Sequence, residues 1–320
     1  MMPYRLNVLI GLSLFLFISS GPSLADENNT RLRKRITELE AENLALRKIL
    51  AEIQNAVKSA PQSKTPDPDD PNSVRIVVLP GDWGGSQLAD IQKVCESAAT
   101  TLTTHLSDVG FAPIIIQRNK SGPITLYRRG QGNEYIVKLD TSDRAWSQLA
   151  FQFSHELCHI LCNYRDVENP QLWFEETLCE CASLYALRQM ATRWKTNAPY
   201  SNWKSYSASL ASYADDRINT QAARKESIRK FYQANKQQLE ESGTNRELNT
   251  YLAVQLLPLF EATPSAWESL RYINLGPEQE NISFRVYLQG WHDRAPEKHR
   301  AFIRQIAAKF DLSLSGDNAP

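Results

Sequence analysis

Residues 154–161 read SHELCHIL, and residues 173–184 read WFEETLCECASL. In the first stretch His155 and His159 are four residues apart. On a helix that spacing puts both imidazoles on one face, one turn apart. Both can then reach one metal ion at about 2.0–2.1 Å. Glu156 follows the first histidine, where its carboxylate reaches a water held at such an ion. Trp146, Leu149, Phe153, Leu157 and Ile160 form a separate apolar stripe. The same helix therefore packs on one side and presents its His/Glu face on another. The pattern predicts a helix over 144–162. Asp140, Thr141 and Ser142 are offered as its N-caps.

The second stretch predicts a helix over 171–194. A catalytic zinc site needs a third protein ligand and an open position for water. Sixteen residues separate His159 from Glu176, enough for a helix end, a loop and a new first turn. Glu176 is the expected third ligand of a Zn2+ ion. Glu180, one turn further on, can reach the far nitrogen of a ligating histidine and orient it. The surrounding Trp, Phe, Leu and Cys argue that this helix is buried rather than solvated.

HELCH followed by WFEETLCECAS resembles the gluzincin metallopeptidases, which include thermolysin-like proteases and aminopeptidases related to leukotriene A4 hydrolase. The likeness spans about thirty residues, Ser154 to Ser183. It implies His155, His159 and Glu176 as zinc ligands, Glu156 as the acid/base, and Glu180 as a carboxylate supporting a ligand histidine. It also implies a zincin-like domain with a small mixed sheet, an active-site helix and a helical C-terminal part.

Outward from that region, the chain divides by composition. Residues 1–25 carry Arg5, an apolar run from Val8 to Ile18 and a terminal Ser23-Leu24-Ala25, the order of a cleaved secretory signal. An uncleaved anchor is the alternative. Residues 26–58 form a heptad segment. Leu32, Leu39, Leu46 and Ile53 fall at d, and Ile36, Asn43, Leu50 and Val57 at a. A single Asn at a fixes register in a parallel dimer. Arg35 and Glu40, then Glu42 and Arg47, would pair across it. Residues 59–73 (SAPQSKTPDPDDPNS) read as an extended linker. The catalytic region is expected over 74–312, with a disordered tail over 313–320.

Within that region strands are expected over 74–79, 113–117, 124–127 and 135–139, with a helix over 88–106 after the first, and mostly helices follow. That order argues for an α+β fold. The strand 135–139 is a candidate edge for an extended peptide. Tyr164, Tyr251, Tyr287 and His292 are candidates for stabilising an oxyanion.

Lys+Arg and Asp+Glu both count 36, so the formal net charge of zero favours no nucleic-acid partner. Cys95, Cys158, Cys162, Cys179 and Cys181 are an odd set. Pairing is expected in an oxidising compartment, with a disulfide between the two site helices as one option. These features together point to an exported zinc metallopeptidase, periplasmic or secreted. It would be a homodimer acting on peptide or protein substrates, with no membrane span after signal cleavage. Two alternatives remain open. One is a non-catalytic coiled-coil envelope scaffold with a zincin-like binding domain. The other is a zinc hydrolase of a non-peptide amide.

The heptads generate a direct expectation. Light scattering should give twice the chain mass for the protein, and the single mass once residues 29–58 are removed. A single mass in both cases removes the zipper.

Overall fold

The computed structural model describes residues 31–41, 43–44, 47–48, 74–107, 110–221, 224–277 and 281–315. The expected signal over 1–25 and the linker over 59–73 lie outside the described residues. The chain divides into two units, with the boundary between Gln54 and Asn55. In the first unit residues 31–41 are helical. Leu32, Ile36 and Leu39 share a face of that helix and are 59%, 50% and 42% exposed. Arg35 Nη1 pairs with Glu38 in the same helix at 3.2 Å.

The second unit is α+β and mostly helical, with a small mixed sheet. Four strands, β1 (Ile76–Val78), β2 (Ile114–Arg118), β3 (Ile124–Thr125) and β4 (Tyr135–Leu139), lie in the order β1-β2-β4-β3. β1, β2 and β4 run parallel, and β3 is antiparallel to β4. Helix α1 (Leu88–Thr103) makes the crossover from β1 to β2 and buries Ile91, Val94, Cys95, Ala98 and Leu102. The Ile and Val run of β1 and β2 fits strands covered by that helix. The peptide-edge expectation for residues 135–139 is overturned. β4 is bonded on both sides, and β3 takes the edge position beside it.

Helix α2 (Trp146–Leu161) carries the HELCH sequence, and α3 (Leu172–Asn197) carries WFEE. α2 buries Trp146, Leu149, Phe153, Leu157 and Ile160, the stripe read from the sequence. From Trp173 to Leu187 α3 has apolar residues around its circumference and is buried accordingly, while its last turns are mostly polar and exposed. It packs against α2, α1, α4 (Ser207–Gln221) and α6 (Arg246–Ala262), forming the spine of the unit. Ser183 Oγ donates to the Phe151 carbonyl at 2.8 Å and ties α3 to α2.

The expected N-caps of α2 are not used. Its cap position is Ala145, with no side-chain bond. The turn 80–85 (PGDWGG) controls this entry instead. Gly85 N donates to Asp143 Oδ1 at 2.8 Å, and Asp143 N donates to the Trp83 carbonyl at 2.9 Å. Gly84 has φ +62°, and a Cβ there would lie 2.5 Å from Asp143 Oδ1. Glycine is thus required both by conformation and by space.

Helices α5 (Ile228–Glu241), α7 (Phe284–Arg294) and α8 (Glu297–Lys309), with 3₁₀ turns over Ser201–Tyr206 and Pro264–Tyr272, close around the spine. Trp173 and Phe174 anchor the packing. Trp173 lies 4.6 Å from Phe284 and 5.4 Å from Tyr232, ring centre to ring centre. The expected disordered tail starts too early. Leu314 is buried and Ser315 N donates to Gln289 Oε1 at 2.6 Å, while 316–320 lie outside the described residues. No helix among the described residues is long and apolar enough to cross a membrane.

One buried carboxylate joins distant pieces of the unit. Glu268 accepts from Lys298 Nζ at 2.6 Å and from the Ser107 hydroxyl, and lies 3.1 Å from His299 Nε2. Burial pushes its pKa up, but the Lys298 and Ser107 hydrogen bonds, the Lys298 charge and the His299 contact outweigh burial. They hold it at about 2 against an ordinary 4.5. A depressed carboxylate stabilises the fold above its unfolded pKa, and that contribution is lost as pH falls through the folded value. Glu268→Gln should therefore cost about 2–3 kcal/mol at neutral pH. It should also flatten the loss of stability between about pH 4.5 and 2 that urea titrations of the unmodified chain will show.

Candidate metal centre

α2 and α3 bring their polar faces together at the floor of an open cleft of about 650 Å³. His155 and His159 stand one turn apart on α2, with ring centres 5.0 Å apart. Glu176, in the first turns of α3, faces both. Its Oε2 lies 3.2 Å from His155 Nε2, and its Oε1 lies 3.6 Å from His159 Nε2. All three line the cleft. Burial would raise the Glu176 pKa, but the His155 hydrogen bond and the charges of His159, His155 and Arg246 hold it below the usual value.

Glu156 points to the other side. Its Oε2 accepts from Thr125 Oγ1 at 2.8 Å, so edge strand β3 fixes the rotation of this carboxylate. Glu156 is buried but lines the cleft. Thr125 could not be singled out from sequence: it lies 31 residues upstream, and only the sheet order brings it here.

Behind the histidines runs a second layer. His159 Nδ1 lies 2.7 Å from Glu175 Oε1. Glu175 Oε2 accepts from Asn274 Nδ2 at 2.6 Å, and Asn274 Oδ1 accepts from the Tyr287 hydroxyl at 2.8 Å. Asn274 Nδ2 is thereby fixed as the donor and Glu175 Oε2 as the acceptor. Burial alone would lower the His159 pKa. The Glu175 hydrogen bond, aided by the charges of Glu175, Glu156 and Glu176, raises it to about 10. A metal ion entering here therefore displaces a proton from His159 at neutral pH.

The supporting carboxylate is Glu175, in place of the expected Glu180. Glu180 Oε1 accepts from Thr250 Oγ1 at 2.9 Å, and among the described residues no hydrogen bond joins Glu180 to a histidine. Residue 180 lies a full turn beyond Glu176, level with Thr250 of α6. Residue 175 sits beside Glu176 in the first turn, level with His159. The doubled Glu175-Glu176 was the signal in the sequence. Asn274 gave none, since it arrives from 99 residues away, and Tyr287 was singled out only as an oxyanion candidate.

The expected disulfide between the site helices is absent. Cys158, Cys162, Cys179 and Cys181 are free and buried, as is Cys95. Burial pushes the Cys162 and Cys179 thiols well above their ordinary pKa. His155, His159 and Cys179 form a group able to hold a metal ion, their ligand atoms lying within 4.8 Å of one another.

Of the four oxyanion candidates, Tyr164 alone lines this cleft among the described residues. Its ring centre is 6.5 Å from that of His159, and its hydroxyl donates to the Leu126 carbonyl at 2.5 Å. Burial, countered in part by Arg129, pushes its pKa to about 12, so it remains a neutral donor. Tyr127 stacks on it at 5.4 Å. Tyr287 belongs to the layer behind Glu175. Tyr251 donates to the Glu226 carbonyl, and His292 contacts Asp293 and Arg304.

No protein-family model matches the chain, and no curated protein matches it.

The layered arrangement makes a prediction about metal affinity. Asn274→Ala leaves Glu175 short of a partner and His159 less firmly oriented. Competition with a chromophoric chelator should show metal affinity reduced about 10–100-fold, with the far-ultraviolet circular dichroism unchanged.

Proposed function

We propose that this chain is a zinc-dependent hydrolase of peptide bonds, built on a zincin-like domain with a His155, His159 and Glu176 ligand set. One observation carries the reading: both imidazole Nε2 atoms converge on the Glu176 carboxylate, at 3.2 and 3.6 Å, at the floor of an open cleft. Two ligand atoms at 2.0–2.1 Å from one ion, at a tetrahedral angle, are about 3.3 Å apart. The two distances lie near that value, each to a different oxygen of the carboxylate. Two neutral nitrogens and a carboxylate are also a donor set that suits zinc and leaves a position free for water.

Cys179 is a competing third ligand on distance alone. Glu176 is favoured because it lines the cleft, whereas Cys179 is fully buried. A bound zinc would supply Lewis-acid polarisation of the carbonyl and a lowered pKa for water.

The side chains do the rest. Glu175 holds His159 in the tautomer that leaves Nε2 free to bind a metal. Thr125 orients Glu156, which accepts a proton from the attacking water and returns it to the leaving amine. Tyr164, a neutral phenol on the cleft wall, is the oxyanion candidate that lines the cleft, and it could donate there only by giving up its bond to the Leu126 carbonyl. Edge strand β3 offers its free side to an extended substrate.

Export and dimerisation belong to the same proposal. The exposed Leu32, Ile36 and Leu39 face supports a zipper, because an apolar stripe left in water favours a second helix.

Glu156→Gln tests the mechanism. The variant should keep about one zinc per chain and lose peptide hydrolysis by roughly 10²–10⁴-fold or more. A chain that takes up no zinc sinks the proposal. Undiminished activity in the variant removes Glu156 from its role.

A further inference from the structure

The cleft has two unlike walls. On the β3 side stand Thr125, Tyr127 and Tyr164. On the opposite side stand Tyr213, Arg217, Arg246 and Asn249, supplied by α4 and the first turn of α6. Arg217 is held by its surroundings. Its guanidinium lies 4.4 Å from the Phe151 ring centre and 4.2 Å from that of Tyr213, and Nη2 donates to the Tyr213 hydroxyl at 2.8 Å. That leaves most of its donors unused.

Arg246 is freer still. Among the described residues it makes no hydrogen bond or ion pair, although it lies near enough to Glu176 and Tyr213 to act on both electrostatically. The acid on this wall is Glu180. It is engaged by Thr250, and no ion pair joins it to either arginine among the described residues. Two guanidinium groups and one carboxylate thus stand on this wall, while Asp140, Glu156, Glu175 and Glu176 line the rest of the cleft.

A further group on the same wall lacks a partner. Asn249 is 3% exposed, its Nδ2 donates to the Gly243 carbonyl at 2.8 Å, and its Oδ1 is buried with no hydrogen bond. The Gly243 bond fixes the amide orientation, so Oδ1 is an acceptor. An unsatisfied buried acceptor is costly and leaves this wall incompletely paired.

We infer that Arg217 and Arg246 form a carboxylate-recognising subsite. The substrates of this centre would then be peptides carrying a carboxylate on the α6 side of the scissile bond. The inference rests on the hydrolase reading for the word substrate, but the subsite itself can be measured by binding alone. Guanidinium matches carboxylate in a bidentate, charge-assisted pair, which gives both direction and selectivity. The carboxylate can be the C-terminal group of a peptide or an Asp or Glu side chain.

Equilibrium binding separates these outcomes. Three fluorescein-labelled alanine-rich peptides are titrated by anisotropy into the zinc-loaded full chain carrying Glu156→Gln. One ends in a free carboxylate, one in a carboxamide, and one in a carboxamide with a single internal Glu. At least one carboxylate-bearing peptide should bind about tenfold or more tightly than the plain amide, and the preference should weaken with added salt. Which of the two does so identifies the source of the carboxylate. Adding Arg246→Gln should abolish the preference, and Arg246→Glu should reverse it, with thermal melts confirming that both variants fold.

Equal affinities for all three peptides overturn the inference. So does a preference untouched by Arg246→Gln, or no saturable binding of any peptide. Carboxylate preference in a chain that hydrolyses nothing would leave the subsite standing and remove the peptidase. Cleavage without carboxylate preference would do the converse.

Discussion

Two buried helices face each other with ionisable groups between them, and everything at the centre follows from having to satisfy those groups. A charge taken out of water costs several kcal/mol unless it is paired and hydrogen-bonded. Glu156 and Glu175 are 3% exposed each, so neither can rely on solvent. The solution is a set of layers. Glu176 and the two imidazole Nε2 atoms meet at the cleft floor, Glu175 backs His159, and Asn274 and Tyr287 back Glu175. Thr125 closes the other flank by holding Glu156. Each group has one arrangement that satisfies it, which fixes the nitrogens in place before any metal arrives.

The scaffold explains why the layers are rigid. α3 is buried on all sides from Trp173 to Leu187 except at Glu176, which lines the cleft, and its first turn is clamped by the Trp173 and Phe174 aromatic cluster. Glu175 and Glu176 immediately follow those two aromatics, so the packing that fixes the rings also fixes the carboxylates. At the start of α2, the Gly84 turn and Asp143 set the point at which the chain enters the helix. β3 enters from the sheet edge, so Glu156 shares α2 with the two histidines but has its carboxylate held by a residue of a different element.

The parts legible in the sequence were those with local periodicity. His155, Glu156 and His159 follow from i, i+4 spacing beside an apolar stripe, and the strands and helices of the second unit were readable in order. What was not legible is what depends on contacts far apart in the chain. Thr125, Asn274 and Tyr287 reach the centre through tertiary packing, and no spacing rule points to them. Glu180 was assigned its partner by helical periodicity alone. The relative rotation of α2 and α3 decides that Glu175 meets His159 while Glu180 meets Thr250. The β4 edge failed for a related reason. A two-residue strand, too short to weigh in sequence, covers it. The cysteines show a limit of composition: their number invites pairing, yet each is packed as a buried thiol.

The identity of the third ligand is the point on which the chemistry turns, because a glutamate facing the cleft and a cysteine beneath it would make different centres. X-ray absorption at the zinc edge of the metal-loaded protein distinguishes them directly. We expect a first shell of nitrogen and oxygen only, at about 2.0–2.1 Å, unchanged in Cys179→Ser and altered in Glu176→Gln. A sulfur scatterer at about 2.3 Å that disappears in Cys179→Ser would contradict the assignment of Glu176.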